Sequence, residues 1–515
     1  MTTRLAAAFG FAACAALVLA GWGCGSARSQ GRALAAEPMI GRPTDRSATL
    51  NVVPAVAGEI FVRWGSGARA GQTAPRACLA GRPVEIGLTG LDPDTTCCYT
   101  VMFRPDAAGD FAGAADGCFH TARARRSPFI FTIQADAHLT ELVVGEQKSD
   151  AGSVDKEGRA RLYQRTLVNV LADRPDFHID LGDFARIEVR GVRSATSRAD
   201  ARERYLAQRR FLGALSPSVP FFLVLGNHEA EQGWRLAGGD SLPVWGAAAR
   251  TGLIPNPRPD GFYSGNSDSL TAGLGPVEDY YAWEWGDALF VVLDPYRYTE
   301  TRPHNLVGAG FLASLDGWDW TLGERQYRWL HEVLSRSSAR WKFVFAHNLT
   351  GGVLGSRAGE GYYGRGGADA ARYSSAGHAS FEWGGEDASG EYVFETRRPG
   401  WPHGSIHEML VANGVDVVFR GHDHIFVREV LDGIVYQTCP DVADWQYGAG
   451  YYSSELFSRG IKVNNSGHLR VAVSPDSIRV DYVRSVLPED DPLDESHTPV
   501  SNGDVSYGYV LKAGE

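Results

Sequence analysis

The decapeptide Phe129-Ile-Phe-Thr-Ile-Gln-Ala-Asp-Ala-His138 decides the fold of this chain. Its first five residues have the apolar and β-branched character of a buried strand. The strand ends abruptly, and Asp136 and His138 follow it. Because ligands collect beyond the carboxyl ends of strands in open α/β sheets, this junction predicts a ligand site on an α/β core.

Four later apolar segments end in the same way. Each predicted strand is followed by residues that can bind a metal: Gly182-Asp183 after 177–181, Gly226-Asn227-His228-Glu229 after 221–225, His347 after 341–345, and Gly421-His422-Asp-His424 after 415–419. Segments with helical spacing, 156–174 and 202–215, separate the first three strands, as is typical of an α/β domain. One such strand end is a weak signal, since Gly-Asp is usually a turn, but five in series predict one shared site.

In this order the motifs Asp-x-His, Gly-Asp, Gly-Asn-His-Glu, His and Gly-His-x-His resemble those of calcineurin-like metallophosphoesterases. The resemblance covers residues 128–485. It implies a four-layer α/β/β/α sandwich with a two-metal centre in its cleft, and we assign residues 125–515 to this domain.

The resemblance also implies a ligand set for each metal. One metal would be bound by Asp136, His138, Asp183 and His424, and the other by Asp183, Asn227, His347 and His422. Asp183 would bridge the two, because cations about 3.5–4 Å apart need a shared anionic ligand. The mixture of imidazole, carboxylate and amide ligands suits two divalent or trivalent transition-metal ions, and Zn, Fe and Mn stay open.

The activity implied by the resemblance is hydrolysis of a small phosphate monoester by a hydroxide that bridges the two metals. His228 would not be a ligand; it would face the substrate and stabilise the transition state or protonate the leaving alkoxide. A phosphodiesterase acting on nucleotides or lipid head groups is the near alternative, because the same two-metal core serves both. A non-catalytic cell-envelope binding protein with a degenerate phosphatase domain is the alternative from another class, and the complete ligand set argues against it.

Several neighbouring residues receive weaker predictions. Glu229 is expected to orient nearby groups, His178 to be a core histidine, and Asp423 only to space the histidines beside it. Two long insertions, 232–279 and 350–402, are expected to build the substrate pocket. Substrate contacts stay unassigned, although four side chains are candidates for the pocket wall: Tyr362, Tyr363, Arg365 and Trp383.

Residues 37–124 are predicted to form a small all-β domain. The segment from Leu88 to Tyr99 resembles the corner of fibronectin type III sandwiches, in which the tyrosine hydroxyl binds nearby backbone, and a similar domain precedes the catalytic domain of purple acid phosphatases. Four clustered cysteines predict one or two disulfides, although adjacent pairing is improbable and free buried thiols are the alternative. These cysteines are Cys78, Cys97, Cys98 and Cys118.

Residues 1–36 are predicted to be a signal peptide. The apolar run 5–20 is too short to span a bilayer comfortably. Cleavage near Ala35 would release the protein to the periplasm or the medium, whereas a lipid-anchored Cys24 would tie it to a membrane. The chain of 515 residues has a formal net charge of −11, which argues against a stable nucleic-acid partner. The sequence leaves the oligomeric state open.

One departure from purple acid phosphatases generates a prediction. Those enzymes carry an iron-ligating tyrosine three residues after the bridging aspartate, and Arg186 occupies that position here. Iron-reconstituted protein should therefore lack a tyrosinate charge-transfer band. An absorption spectrum checks this, and a strong visible band would contradict it.

Overall fold

The computed structural model describes residues 33–105, 109–139, 156–188, 194–302, 316–353, 362–363, 366–372, 378–448, 457 and 459–514. Within these ranges no helix combines the length and the apolar character needed to cross a membrane.

The N-terminal region is all-β, as predicted. Its eight strands are β1 Leu34–Gly41, β2 Ser47–Pro54, β3 Gly58–Ser66, β4 Arg69–Gln72, β5 Arg76–Cys78, β6 Val84–Thr89, β7 Thr96–Arg104 and β8 Ala112–His120. One sheet has the order β1-β2-β6, and the other has the order β4-β3-β7-β8 with β5 paired to β3. Strand β1 begins at Leu34, whose side chain is buried, so the predicted signal segment overlaps this strand by three residues.

One disulfide joins the last two strands of this region. Cys98 and Cys118 lie directly opposite each other in the antiparallel pair of β7 and β8 and are bonded. Cys78 and Cys97 are buried free thiols, as is Cys439 in the second region. The sequence predicted one or two disulfides, and the structure has one in this region. The other two clustered cysteines are free and buried, as the alternative prediction had it.

The prediction that the Tyr99 hydroxyl binds nearby backbone is wrong. Its hydroxyl donates to the carbonyl of Pro217 at 2.8 Å, and Pro217 lies 118 residues further along the chain. The strand opposite makes room for this contact with Gly117, where a Cβ would lie 2.0 Å from the same carbonyl oxygen. Tyr99 thus connects the β-sandwich to the second region and does not close a local corner.

The second region contains two large sheets. Its strands are β9 Phe129–Gln134, β10 Phe177–Asp180, β11 Phe221–Leu223, β12 Ser264–Gly265, β13 Tyr281–Trp285, β14 Ala288–Val292, β15 Trp341–Ala346, β16 Gly352–Val353, β17 Tyr362–Tyr363, β18 His378–Ala379, β19 Val417–Arg420, β20 Phe426–Leu431, β21 Ile434–Thr438, β22 Ile461–Val463, β23 Gly467–Val473, β24 Ser477–Arg484 and β25 Val505–Lys512. The first sheet has the order β11-β10-β9-β23-β24-β25 and the second has the order β12-β13-β14-β15-β19-β21-β20-β22. Strands β16 to β18 form a separate small sheet.

Helices cover the outer faces of the two sheets. They are α1 Lys156–Ala172, α2 Arg198–Phe211, α3 Leu242–Leu253, α4 Gly323–Arg336, α5 Ala368–Ala371, α6 Phe381–Gly384, α7 Phe394–Arg397 and α8 Ile406–Ala412. The first three pack on the first sheet through residues such as Leu167 and Tyr205. Helices α4 and α8 pack on the second sheet through residues such as Leu330 and Met409.

Aromatic side chains fill the space between the sheets. Phe131 from β9 packs against Phe290 of β14 and Phe343 of β15 with ring centroids 5.1 and 5.4 Å apart. Burying such rings from both sheets holds them face to face. The predicted four-layer α/β/β/α architecture is confirmed.

Parallel pairing brings the predicted strand ends to one edge. Strands β9, β10 and β11 are parallel neighbours, and so are β14, β15, β19 and β21. The carboxyl ends of parallel neighbours point the same way, so the polar residues after them meet.

The Tyr99 contact can be tested with Tyr99→Phe. Removing the hydroxyl leaves a carbonyl without its donor between two packed regions, which should lower the free energy of unfolding by about 1–3 kcal/mol. Urea unfolding measures this. Tyr392→Phe is the matched control. The Tyr392 hydroxyl donates to Glu408, but the residue is 40% exposed, so its removal should change the free energy of unfolding by no more than about 0.5 kcal/mol. Equal effects of the two substitutions would contradict the connecting role of Tyr99.

Candidate metal centre

The strand-end turns are unusual in their backbone. Five of the seven predicted ligands have left-handed φ angles although none is glycine: Asp136 (60°), His138 (49°), Asp183 (54°), His422 (73°) and His424 (52°). This conformation costs of order 1–3 kcal/mol for such a residue, and it persists where surrounding structure enforces it, typically at functional sites. Glycine would adopt these angles without strain. The presence of aspartate and histidine instead indicates that their side chains are needed at the site.

Two glycines of the motifs allow the turns to approach each other. A Cβ on Gly226 would lie 2.3 Å from the backbone nitrogen of Asp183. A Cβ on Gly421 would lie 3.0 Å from Oδ2 of Asp136 and 3.1 Å from Nδ1 of His347. The space next to the predicted ligands is therefore available only to a residue without a side chain.

The structure brings the ligands predicted for the first metal together. Nε2 of His424 lies 3.3 Å from Oδ1 of Asp136, and Nε2 of His138 lies 3.7 Å from the same oxygen. His138 also approaches Oδ2 of Asp183 to 3.6 Å. The ligand atoms of Asp136, His138 and His424 all lie within 4.8 Å of one another, which is close enough for one cation.

The second predicted set also converges. Nε2 of His347 lies 3.3 Å from Oδ2 of Asp183, and a ligand atom of His422 is within 4.8 Å of both. Asn227 is buried in the short turn that follows β11. Asp183 thus faces both sets, as a bridging ligand must.

Buried atoms without partners support the fit of a metal to this site. Among the described residues, Oδ1 of Asp136, Oδ1 of Asn227 and Nε2 of His347 are buried and have no hydrogen-bond partner. Oδ1 of Asp136 and Nε2 of His347 each have an oppositely charged neighbour at 3.3 Å. Leaving a buried polar atom unpaired is costly. A cation bound among these atoms would satisfy all three, and their chemistry matches a transition metal.

Hydrogen bonds to the other atoms of these side chains hold the ligand atoms in place. Nδ1 of His347 donates to the carbonyl of Leu181 at 2.7 Å, which directs the lone pair of Nε2 towards Asp183. Oδ1 of Asp183 accepts from the backbone nitrogen of His228 at 2.8 Å. Oδ2 of Asp136 accepts from the backbone nitrogen of His422 at 2.9 Å. Each carboxylate therefore keeps one oxygen for a cation.

Glu229 has the orienting role that was expected. Its carboxylate accepts from the backbone nitrogens of Asp183 (3.0 Å), Ala185 (2.9 Å) and Gly226 (2.6 Å). It thereby joins the turn after β10 to the turn after β11.

The electrostatics of the site favour positive charge. Burial opposes the ionisation of Asp183, but the imidazoles of His347 and His228 outweigh burial and hold its pKa well below the usual value. Burial likewise opposes charge on His347, yet Asp183 and Asp136 raise its pKa to about 9. A metal bound at Nε2 of His347 would take the place of the proton there, so metal affinity should fall as the pH falls.

Other predicted residues lie elsewhere or act differently. His178 is a core residue bonded to Thr132 at 2.8 Å, as expected. Trp383 is fully buried and donates to the hydroxyl of Tyr436 at 3.1 Å, so it is a core residue and not a pocket wall. The side chains of Tyr362 and Tyr363, and all of Arg365, lie outside the described residues.

Asp423 is more than a spacer between two histidines. It is buried, forms an ion pair with Arg420, and accepts from the backbone nitrogen of Gly366 at 2.9 Å. The motif gave no hint of this, because the variable position carries no pattern of its own.

Sequence reasoning also missed Asp441. Its Oδ2 lies 3.3 Å from Nδ1 of His424. The only available signal was its place shortly after β21, a further parallel strand of the second sheet.

The chain is similar to known proteins in its sequence pattern and in its fold. The family model described as calcineurin-like phosphoesterase matches residues 130–426. The solved structure of PhoD superposes with a TM-score of 0.60 at 14% identity, covering 94% of this chain and 91% of that one. Purple acid phosphatase PPD1 from yellow lupin seeds gives 0.56 at 14% identity, covering 92% and 74%. At these identities the likeness concerns the fold. No curated protein sequence matches significantly.

Asn227→Ala tests the assignment of the second ligand set. Removal of its amide oxygen should lower the occupancy of one metal and leave the other, because the remaining ligands of the first set are untouched. Elemental analysis after dialysis measures the metal content. Asn266→Ala, a change at a buried asparagine bonded to Asp279, is the control and should keep wild-type content. Wild-type metal content in Asn227→Ala would contradict the assignment.

Proposed function

Because the chain belongs to the calcineurin-like phosphoesterase family and is a metal-dependent phosphoester hydrolase, we propose that it is an exported phosphatase with a dinuclear metal centre that hydrolyses phosphate monoesters. The observation that carries the proposal is the convergence of buried ligand atoms around Asp183.

Each metal would have its own ligands and share one. Asp136, His138 and His424 would bind the first, Asn227, His347 and His422 the second, and Asp183 both. Cations in such a site neutralise phosphoryl oxygens and lower the pKa of water enough to supply a nucleophile near neutral pH. The protein's part is to hold the ligands, and its buried hydrogen bonds do so.

The substrate would enter from one side. The side chain of His424 is 38% exposed and that of His228 is 17% exposed, whereas those of His347 and Asp136 are fully buried. A phosphate group would therefore meet the site at the face that His424 and His228 form.

His228 is placed to act on the substrate. Its Nδ1 donates to the carbonyl of Glu188 at 2.5 Å, so the proton that it exchanges with a substrate is held at Nε2. Nε2 lies 3.8 Å from Oδ2 of Asp183, and the ligand atoms of His138, Asp183 and His228 lie within 4.8 Å of one another, so His228 borders the proposed metal site. Burial lowers the pKa of His228, while Asp183 opposes that shift. We assign His228 to the leaving oxygen rather than to a metal.

Charge favours a monoester over a diester. A monoester dianion carries more charge than a diester at the same phosphorus, and it gains more from two cations. Arg186 adds positive charge here: burial is the main cause of the lowered pKa of His138 and His228, and the guanidinium of Arg186 lowers both further. A substrate of higher negative charge is the better match.

Export is the second part of the proposal. The apolar run 5–20 and the disulfide between Cys98 and Cys118 support it, since disulfides persist in oxidising compartments. The exported form is either released or anchored at Cys24. Mass spectrometry of the N-terminal peptide, from protein purified from its native cells, distinguishes a free terminus after Ala35 from a lipid-modified Cys24.

His228→Ala tests the mechanism. With both metals retained, turnover of p-nitrophenyl phosphate should fall by about 10²–10⁴, the range for a general acid–base group. The assay uses protein reconstituted separately with Zn, Mn and Fe, with bis-p-nitrophenyl phosphate as the diester probe.

His331→Ala is the matched control, since His331 stacks on His403 outside the described metal-ligand cluster. It should keep wild-type turnover. Faster hydrolysis of the diester would replace the monoester proposal with a phosphodiesterase. Unchanged turnover in His228→Ala would make His228 structural.

A further inference from the structure

Asp441 lies behind the metal site on the second sheet. It follows β21, which is the parallel neighbour of β19, so it shares the sheet edge from which His422 and His424 project. Its side chain is 3% exposed. None of the five sequence motifs includes it.

The carboxylate of Asp441 meets the far side of the His424 ring. Oδ2 lies 3.3 Å from Nδ1 of His424, while Nε2 of the same ring lies 3.3 Å from Oδ1 of Asp136. A proton shared between Nδ1 and the carboxylate leaves Nε2 with its lone pair towards the metal position. Such a carboxylate fixes the ring orientation and the tautomer and makes the nitrogen a better ligand.

Arg159 of α1 holds that carboxylate. Its Nη2 lies 3.0 Å from Oδ2 and 3.1 Å from Oδ1 of Asp441, and the backbone nitrogen of Ala443 donates to Oδ1 at 2.8 Å. Both oxygens of the carboxylate therefore accept hydrogen bonds, which fix the side chain in place.

The same guanidinium also holds the first motif. Nη2 of Arg159 donates to the carbonyl of Ala137 at 3.2 Å, and Ala137 lies between the ligands Asp136 and His138. One side chain thus connects the turn after β9 with the carboxylate behind His424. Arg159 thus supports the three ligands that the first metal does not share with the second, Asp136, His138 and His424.

The second ligand set has a separate support. His347 is oriented by the carbonyl of Leu181, and the turn that carries Asn227 is held by Glu229 and by Gln232, whose amide donates to the carbonyl of Asn227 at 2.5 Å. None of these contacts involves Asp441 or Arg159.

We propose that Asp441, held by Arg159, is a positioning residue that orients His424 and sets the affinity of one metal position only, the one formed with Asp136 and His138. The inference rests on the proposed dinuclear centre, and it goes further in making the two positions separately supported.

Asp441→Asn tests this, since it keeps the shape and removes the charge. Titration of metal-free protein with Zn against a competing chelator should show one position weakened by about 10–100-fold, the usual cost of losing such a partner, and the other unchanged. In an Asn227→Ala background the remaining ion should then be lost, which identifies the position affected.

Asp173→Asn is the matched control. Asp173 also pairs with a histidine and an arginine, lying 2.8 Å from Nε2 of His468 and 2.8 Å from Nη1 of Arg470, but it belongs to none of the metal-binding groups. Asp173→Asn should lower the free energy of unfolding and leave the affinities of both metal positions unchanged. Comparing the free energies of unfolding of the two metal-free variants separates a loss of folding from a loss of metal affinity.

The outcomes decide the inference independently of the activity. Two unchanged affinities in Asp441→Asn, or equal weakening of both, would overturn it. If that variant does not fold, Arg159→Lys should weaken the same single position, and unchanged titration there would overturn it equally. Wild-type protein that binds two ions but cleaves no phosphate ester would refute the proposed function and leave this inference standing.

Discussion

Two buried carboxylates determine what the rest of this molecule must do. Asp136 and Asp183 are buried where the strand ends meet, and charge in such a place is tolerated only when it is paired. The imidazoles around them supply the pairing, and a pair of cations would supply it better. The histidines after β15 and β19 come from the second sheet, whereas the aspartates come from the first. The two sheets must therefore be held at a fixed separation, and the aromatic layer between them does this.

Bringing these side chains together requires strained backbone at the strand ends. Left-handed conformations at Asp136, Asp183 and His424 are unfavourable for each residue alone. They turn the chain sharply at the strand end, so that the side chain points back across the edge of the sheet. Hydrogen bonds from neighbouring turns stabilise the result, as where the backbone nitrogen of Asp136 donates to the carbonyl of Gly182 at 3.1 Å. Strain at one turn is thus offset by contacts with the next.

The fold and the set of residues that converge could be predicted because both depend on order along the chain. Apolar strands followed by ligand residues identify the sheet edge, and parallel pairing brings those residues together at that edge. Contacts between distant surfaces could not be predicted. Tyr99 matched a local pattern, but its hydroxyl donates to the carbonyl of Pro217. The sequence near Tyr99 does not indicate that it packs against the segment that contains Pro217. Asp441 was missed for the same reason, since a lone aspartate after a strand has no distinguishing neighbour.

The N-terminal sandwich is built into the second region rather than attached to it. Arg209 of α2 is buried and donates to the side chain of Asn51 and to the carbonyls of Glu37 and Leu253. Because this buried guanidinium donates to groups of both regions, the loss of either region would leave some of its N–H groups without acceptors.

A second connection leads from the sandwich towards the metal site. Arg42, at the end of β1, pairs with the buried Glu278 at 3.2 Å. The carbonyl of Glu278 accepts from Arg250 at 3.0 Å, and Arg250 pairs with Glu231, two residues after the Glu229 that orients the third motif. Displacement of the sandwich would remove Arg42 from Glu278, which would keep its second ion pair with Arg258. Buried contacts therefore run from the sandwich towards the turn that carries Asn227 and His228, although the sandwich supplies none of the metal-binding groups found in the described part of the chain.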